Sequence, residues 1–145
     1  MKIFIDGDGC PVVDIAVETA RTFGAQCVII CDTSHEIIRE GASTVTVSKG
    51  ADSADFEIVN RIAPGDIVVT QDYGLCALVL ARKGRPLTQN GLIITDFNIG
   101  ALLTQRHESK KVRMSGGRVK GPPKRTQAQS EAFEKSLRAM IGMIP

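Results

Sequence analysis

A chain of 145 residues, 43% hydrophobic and 23% charged, has the size and balance of a globular domain with its own core. No apolar run approaches the ~20 residues of a membrane-spanning helix, and Lys2, three apolar residues and then Asp6 do not form a secretory signal, so a cytoplasmic protein is expected. The net charge of +2 conceals a division: residues 1–105 carry eight Lys or Arg against thirteen Asp or Glu, residues 106–125 carry eight against one, and residues 126–145 balance.

The first stretch, Ile3-Phe4-Ile5-Asp6-Gly7-Asp8-Gly9-Cys10-Pro11, is an apolar strand that stops in two carboxylates. Side chains alternate along a strand, so Asp6 and Asp8 share a face if extended backbone continues through Gly7. Pro11 suits a first helical position. Val13, Ala16, Val17 and Ala20 then give a core-facing stripe over about Cys10–Phe23, with Gly24 as the stop. Ala25–Cys31 is a continuous apolar run, the pattern of a strand buried on both faces. Asp32–Gly41 reads as a loop or helical turn, and Ser43–Ser48 alternates as a strand near a sheet edge does.

After Lys49-Gly50, a helix is expected from about Asp52, with Phe56, Ile58, Val59 and Ile62 apolar and Pro64-Gly65 ending it. Ile67–Thr70 is another strand of buried type and again runs into an acid, Asp72. Gly74 opens an apolar helix through Leu75, Leu78, Val79 and Leu80 to Lys83-Gly84. Asn90-Gly91, between Pro86–Thr88 and Leu92–Thr95, is a hairpin-type turn signal. Thr95 is placed to cap a helix carrying Ile99, Leu102 and Leu103 toward Arg106. From Glu108 to Arg125 the chain is basic, contains Gly and Pro, and reads as a loop. Thr126-Gln127-Ala128-Gln129 fits a capping box before a helix with Phe133, Leu137, Met140 and Ile141 on one face. That stripe needs a surface, on the domain or on a second copy, which makes a homo-oligomer through this helix one outcome. The divisions are 1–105 for an α/β domain, 106–125 for a basic segment and 126–145 for a terminal helix. Alternating short strands and helices predict an α/β fold with a mainly parallel sheet.

In such a sheet the carboxyl ends of the strands share one edge, and a helix leading into a strand starts there too. Asp6, Asp8, Asp52, Asp55 and Asp72 should therefore gather around one small volume. Asp52 and Asp55 equally suit a helix N-terminus, as cap and first-turn acid. Hard oxygen ligands select Mg²⁺ or Mn²⁺, as one ion or two. Such an ion orients water and neutralises charge on a phosphodiester. Ser53 and Thr70 are candidate supporting groups, and Asp66 reads as a turn residue. Cys10, Cys27, Cys31 and Cys76 include no CxxC pair and are expected to stay reduced and packed. His35 and His107 read as solvated. Lys49, Arg106, Lys110, Lys111, Arg113, Arg118, Lys120, Lys124 and Arg125 are candidates to meet phosphates of a nucleic acid. With only 4% aromatic residues, backbone contact with little base reading is expected.

Three blocks carry a resemblance: Asp-Gly-Asp-Gly-Cys-Pro at 6–11, Ser-Lys-Gly-Ala-Asp-Ser-Ala-Asp at 48–55 and Gly-Asp-Ile-Val-Val-Thr-Gln-Asp-Tyr-Gly-Leu at 65–75. Arg106-His107, Gly116-Gly117-Arg118 and the run from Lys120 to Thr126 extend it. Together they resemble the YaiI/YqxD family of bacterial proteins over nearly the whole chain. That family usually reads Asp-Ala-Asp-Ala-Cys-Pro in the first block, where this chain has Gly7 and Gly9. The resemblance implies a PIN-like three-layer α/β/α sandwich with about four to five strands. PIN-like domains are metal-dependent ribonucleases. Asp6 matches their strand-end acid, Asp55 their helix acid, and Val69-Thr70-Gln71-Asp72 their strand–Thr–x–Asp pattern. The second acid of that pattern has Asp8 as its nearest counterpart, with Glu18 and Glu36 as further candidates.

Three functions follow as expectations. The first is a Mg²⁺- or Mn²⁺-dependent nuclease acting on RNA through Asp6, Asp8, Asp55 and Asp72, with Asp52 as a further ligand. The second is a catalytically silent nucleic-acid-binding module on the same fold. The third is a phosphatase of haloacid-dehalogenase type, whose Asp-x-Asp motif Asp6 and Asp8 resemble, although Cys10 stands where that motif expects Thr or Val.

Overall fold

The strands are short and apolar, so they must be covered on both faces, and the chain does this by alternating them with helices. The computed structural model describes residues 1–50, 52–105, 116 and 124–142. Five strands, β1 (Lys2–Asp6), β2 (Gln26–Asp32), β3 (Ser43–Val47), β4 (Ile67–Val69) and β5 (Arg85–Leu87), form one parallel sheet in the order β3-β2-β1-β4-β5. The helices are α1 (Val13–Thr22), α2 (Ser53–Arg61), α3 (Tyr73–Ala81), α4, described over 99–105, and α5 (Gln127–Gly142).

Strand alternation sorts the core into two layers. Ile3, Ile5, Ile29, Ile67 and Val69 pack with Val13, Ala16, Val17 and Ala20 of α1 and with Phe133, Leu137 and Met140 of α5. Phe4, Ile30 and Val68 face the other way, against Ile58 and Ile62 of the α2 region and Leu75 and Val79 of α3. The architecture is a three-layer α/β/α sandwich, as expected. The apolar stripe of α5 is covered by its own domain, with Phe133 and Leu137 fully buried.

The structure differs from expectation at three places. Helix α1 begins at Val13, not Cys10, because residues 7–12 form a turn in which the Cys10 N–H donates to the Gly7 carbonyl and Gly9 is left-handed (φ 69°). Pro11 consequently precedes the helix. The turn expected around Asn90-Gly91 forms, with the Gly91 N–H donating to the Thr88 carbonyl at 3.0 Å, but its first arm also has a parallel partner. Arg85–Leu87 lies along β4, and the return arm is short, held by the Leu87–Ile93 antiparallel bridge with the Thr88 N–H donating to the Leu92 carbonyl and the Ile94 N–H to the Pro86 carbonyl. Pro86 tolerates this position because β5 ends the sheet, where its missing N–H leaves no inner ladder broken. Asp66 is more than a turn residue. It is 4% exposed, and its carboxylate accepts the backbone N–H of Lys2 and of Ala63, each at 2.9 Å.

The capping box at α5 forms reciprocally. The Thr126 N–H donates to Gln129 Oε1 at 2.9 Å and the Gln129 N–H donates to Thr126 Oγ1 at 3.3 Å. Thr126→Ala should cost about 1 kcal/mol of stability, the usual value of such a cap, read as a lower urea midpoint at unchanged slope.

Candidate functional site

The chain runs from β1 outward through β2 to β3, then returns across the sheet to β4 and β5. The order therefore reverses between β1 and β4, and open α/β sheets bind ligands at the carboxyl ends of strands beside such a reversal. Asp6 is the last residue of β1, while Thr70 and Asp72 follow β4. The Thr70 hydroxyl ties them together: it donates to Asp6 Oδ2 at 2.8 Å and accepts the Asp72 N–H at 3.1 Å. Asp72 also caps α3, its Oδ1 accepting the N–H groups of Gly74 at 2.9 Å and Leu75 at 3.2 Å. The helix start thus fixes this carboxylate at the rim.

The five predicted acids reach the same rim but divide between two recesses. One, of about 110 Å³, is lined by Asp6, Asp8, Cys10, Thr70, Asp72 and Gln89, among others. The other, of about 340 Å³, is lined by Asp52, Asp55, Phe56, Asp72, Leu75 and Leu78, among others. Asp72 is the wall they share. Asp52 precedes α2 and Asp55 lies in its first turn, where Asp55 hydrogen-bonds Asp72 and stands within reach of the Asp6 charge, so the two recesses adjoin. Asp8 is exposed, and its Oδ1 accepts the Asp32 N–H at 3.3 Å. Asp52 precedes α2 in a left-handed conformation (φ 64°), and its side chain makes no capping bond. Ser53 opens α2, its N–H donating to the Gly50 carbonyl at 3.4 Å, and lines neither recess. Glu18 pairs with Arg21, Glu36 accepts from the Thr46 hydroxyl, and neither lines a recess.

Burial and neighbouring negative charge together disfavour the ionised forms of two of these acids. Burial pushes Asp55 up to about 7, aided by the charges of Asp72 and Asp6, a hydrogen bond with Asp72 and the charge of Asp52. Burial also raises Asp6; the Thr70 hydrogen bond opposes this, and Asp8 and Asp72 add to it. A proton held between such carboxylates relieves repulsion as a cation would. The donor chemistry suits Mg²⁺ or Mn²⁺, since it is all carboxylate and hydroxyl oxygen. Among the described residues, no group of three or more His, Cys, Asp and Glu side chains is placed to hold a metal ion.

Of the predicted basic residues, Lys49 and Lys124 are exposed. Arg125 is a fastener: its guanidinium donates to Asn90 Oδ1 and the Gln89 carbonyl, each at 2.7 Å, and to Ser130 Oγ at 3.2 Å. Arg106, Lys110, Lys111, Arg113, Arg118 and Lys120 lie outside the described residues. Two residues passed over in the sequence also line the acidic recess, Gln71 and Gln89. The Gln89 N–H donates to Gln71 Oε1 at 2.7 Å, so Gln71 and Arg125 pin the Gln89 backbone from both sides. Only the nearness of Gln71 to the Thr70–Asp72 pattern offered a sequence signal.

Among the described residues, no helix is long and apolar enough to cross a membrane. No solved structure matches the chain. It is similar to a UPF0178 protein of Exiguobacterium sibiricum, 52% identical over 141 residues, which are 97% of this chain and 96% of that protein. A UPF0178 protein of Ruminiclostridium cellulolyticum is 47% identical over 142 residues, 97% of this chain and 92% of that one. Another, from Natranaerobius thermophilus, is 41% identical over 141 residues, 97% of this chain and 96% of that one. A family model described as "Uncharacterized BCR, YaiI/YqxD family" matches residues 4–143, and the chain belongs to that family.

Proposed function

We propose that this protein is a nucleic-acid-binding module on an α/β sandwich, with RNA as its first partner, and that as folded it is not set for hydrolysis. The observation that carries this reading is that the rim acids already have partners within the protein. Asp6 takes the Thr70 hydroxyl, Asp8 and Asp72 take backbone N–H groups, and Asp55 shares a hydrogen bond with Asp72. The binding surface is the segment 106–125, which holds eight Lys or Arg against one Glu. Its last residue, Arg125, is bonded to the loop that lines the acidic recess, which fixes that end of the segment beside the recess.

Fluorescence anisotropy with labelled single-stranded RNA tests it. Affinity should fall with salt, each neutralised phosphate adding about −0.7 to the logarithmic slope. Changing Lys110, Lys111 and Arg113 together to Gln should flatten that slope by about 2. Asp6→Asn and Asp72→Asn should leave binding intact; Asn at 72 still caps α3. Binding that both changes abolish would refute this reading.

A second reading is a Mg²⁺- or Mn²⁺-dependent phosphodiesterase of PIN-like type. One observation favours it: Asp55, pushed up to about 7 chiefly by burial, is raised also by Asp72, Asp6 and Asp52, a crowding of carboxylates that a divalent cation would relieve. Hydrolysis of labelled RNA in Mn²⁺, lost in Asp6→Asn and in Asp72→Asn, would establish it.

A further inference from the structure

Phe97 is 100% exposed, at the turn that leads into α4. Scattered exposed apolar residues are normal on a protein surface. This one stands beside an apolar groove of about 290 Å³, whose lining includes Leu80, Ile93, Ile94, Asp96 and Met140. The groove shares no lining residue with the acidic recesses. Asp96, immediately before Phe97, forms part of its wall, so an exposed aromatic knob and an apolar hole lie on one patch.

We propose that a second copy of this chain covers the patch, in a two-fold dimer where each Phe97 enters the other's groove. A two-fold interface must be self-complementary, and a patch bearing both knob and hole meets that condition. Charge agrees with shape. Exposed Asp96 flanks the knob, while exposed Arg82 and Lys83 follow α3 at the Leu80–Gly84 side of the hole. Reciprocal insertion brings Asp96 of each copy to a rim where Arg82, Lys83 and Arg85 of the other outnumber its Asp96. Two buried phenyl rings, at about 150–250 Å² each, plus the groove walls give a buried area near the low end for specific interfaces. The dimer is accordingly weak and concentration-dependent, with Kd on the order of 10–100 μM.

Sedimentation velocity on the full chain from about 5 μM to 1 mM, with methyl NMR of Ile93, Ile94 and Met140 over the same dilution, tests the proposal. The sedimentation coefficient should rise with concentration, and the groove methyls should shift in step. Phe97→Ser, at an exposed position, should weaken association at least about tenfold, the equivalent of ~1.4 kcal/mol, with the melting temperature unchanged. Asp96→Lys should weaken it as well, and Lys83→Asp in the same chain should restore part of the loss. Three results would overturn the proposal: a monomer throughout the range, association that Phe97→Ser leaves untouched, or groove methyls that ignore dilution but shift when the chain is cut after Gly142. The last would assign the groove to this chain's own terminal residues.

Discussion

Gly91→Ala should destabilise the protein by about 3 kcal/mol and loosen α5 from the sheet. Two costs combine. Gly91 has φ 86°, a left-handed conformation that costs an L-residue about 1–2 kcal/mol. A Cβ there would also lie 2.5 Å from the Ala132 carbonyl oxygen and 3.0 Å from the Phe133 backbone nitrogen. Those atoms belong to α5, so the helix itself must shift, and overpacking of this kind typically costs about 1–3 kcal/mol. The Gly91 carbonyl also accepts the Ser136 hydroxyl at 2.7 Å, so the turn holds α5 by contact and by hydrogen bond. Gly24→Ala provides the comparison: φ is 67°, but nothing lies within 4 Å of the added Cβ. It should cost only the backbone part, about 1 kcal/mol. Urea unfolding of both variants separates the two contributions, and hydrogen exchange should show α5 amides losing protection before those of β1 and β4. A Gly91→Ala cost no larger than that of Gly24→Ala would mean that α5 is not seated against this turn.

The same turn shows what the sequence could reveal. Asn90-Gly91 correctly marked a reversal with positive φ, because only local sterics are involved. It did not reveal that Arg85–Leu87 would pair in parallel with β4, since that depends on which edge is open after β4 has joined β1. The strands and the two-layer core were legible from unbroken apolar runs such as Ile67–Val69 and from the stripe Val13, Ala16, Val17, Ala20. Each encodes burial directly through period and composition. The acids at strand ends were legible for the same reason: in a parallel sheet, topology alone puts Asp6 and Asp72 on one rim. That the acids line two adjoining recesses with Asp72 as the shared wall was not, because it depends on how the start of α2 meets the start of α3. Asp66 was misjudged because a carboxylate after Gly65 looks like turn chemistry. Its carboxylate accepts the N–H of Lys2, 64 positions away, a partner that turn chemistry does not announce. Arg125 looked like one more phosphate contact, but Gln89 and Asn90 claim its guanidinium, and no local pattern announces such partners.

Asp55→Asn should make the protein more stable above pH 7 and flatten its stability profile between pH 4 and 7. Asp55 has its folded pKa raised from 3.8 to about 7. In that interval the folded state holds a proton that the unfolded chain has released, so stability falls as pH rises through the window and stays low above it. The carboxyl is partly exposed, so water screens much of the penalty, and about 1–2 kcal/mol is the expected net effect after that discount. Asp6, raised by burial, bends the profile in the same direction. Melting temperatures of wild type and Asp55→Asn at pH 5 and pH 8 test the sign: the variant should gain several degrees relative to wild type only at the higher pH. The experiment also distinguishes the two functional readings when Mn²⁺ is added. A cation drawn to these carboxylates must displace the Asp55 proton, so its stabilising effect should grow with pH across 7 and shrink in Asp55→Asn. Mn²⁺ that raises the wild-type melting temperature at pH 8 but not at pH 5 would favour the phosphodiesterase. A melting temperature indifferent to Mn²⁺ at both pH values would leave the proton as the rim's own means of relieving its charge, and binding as the protein's activity.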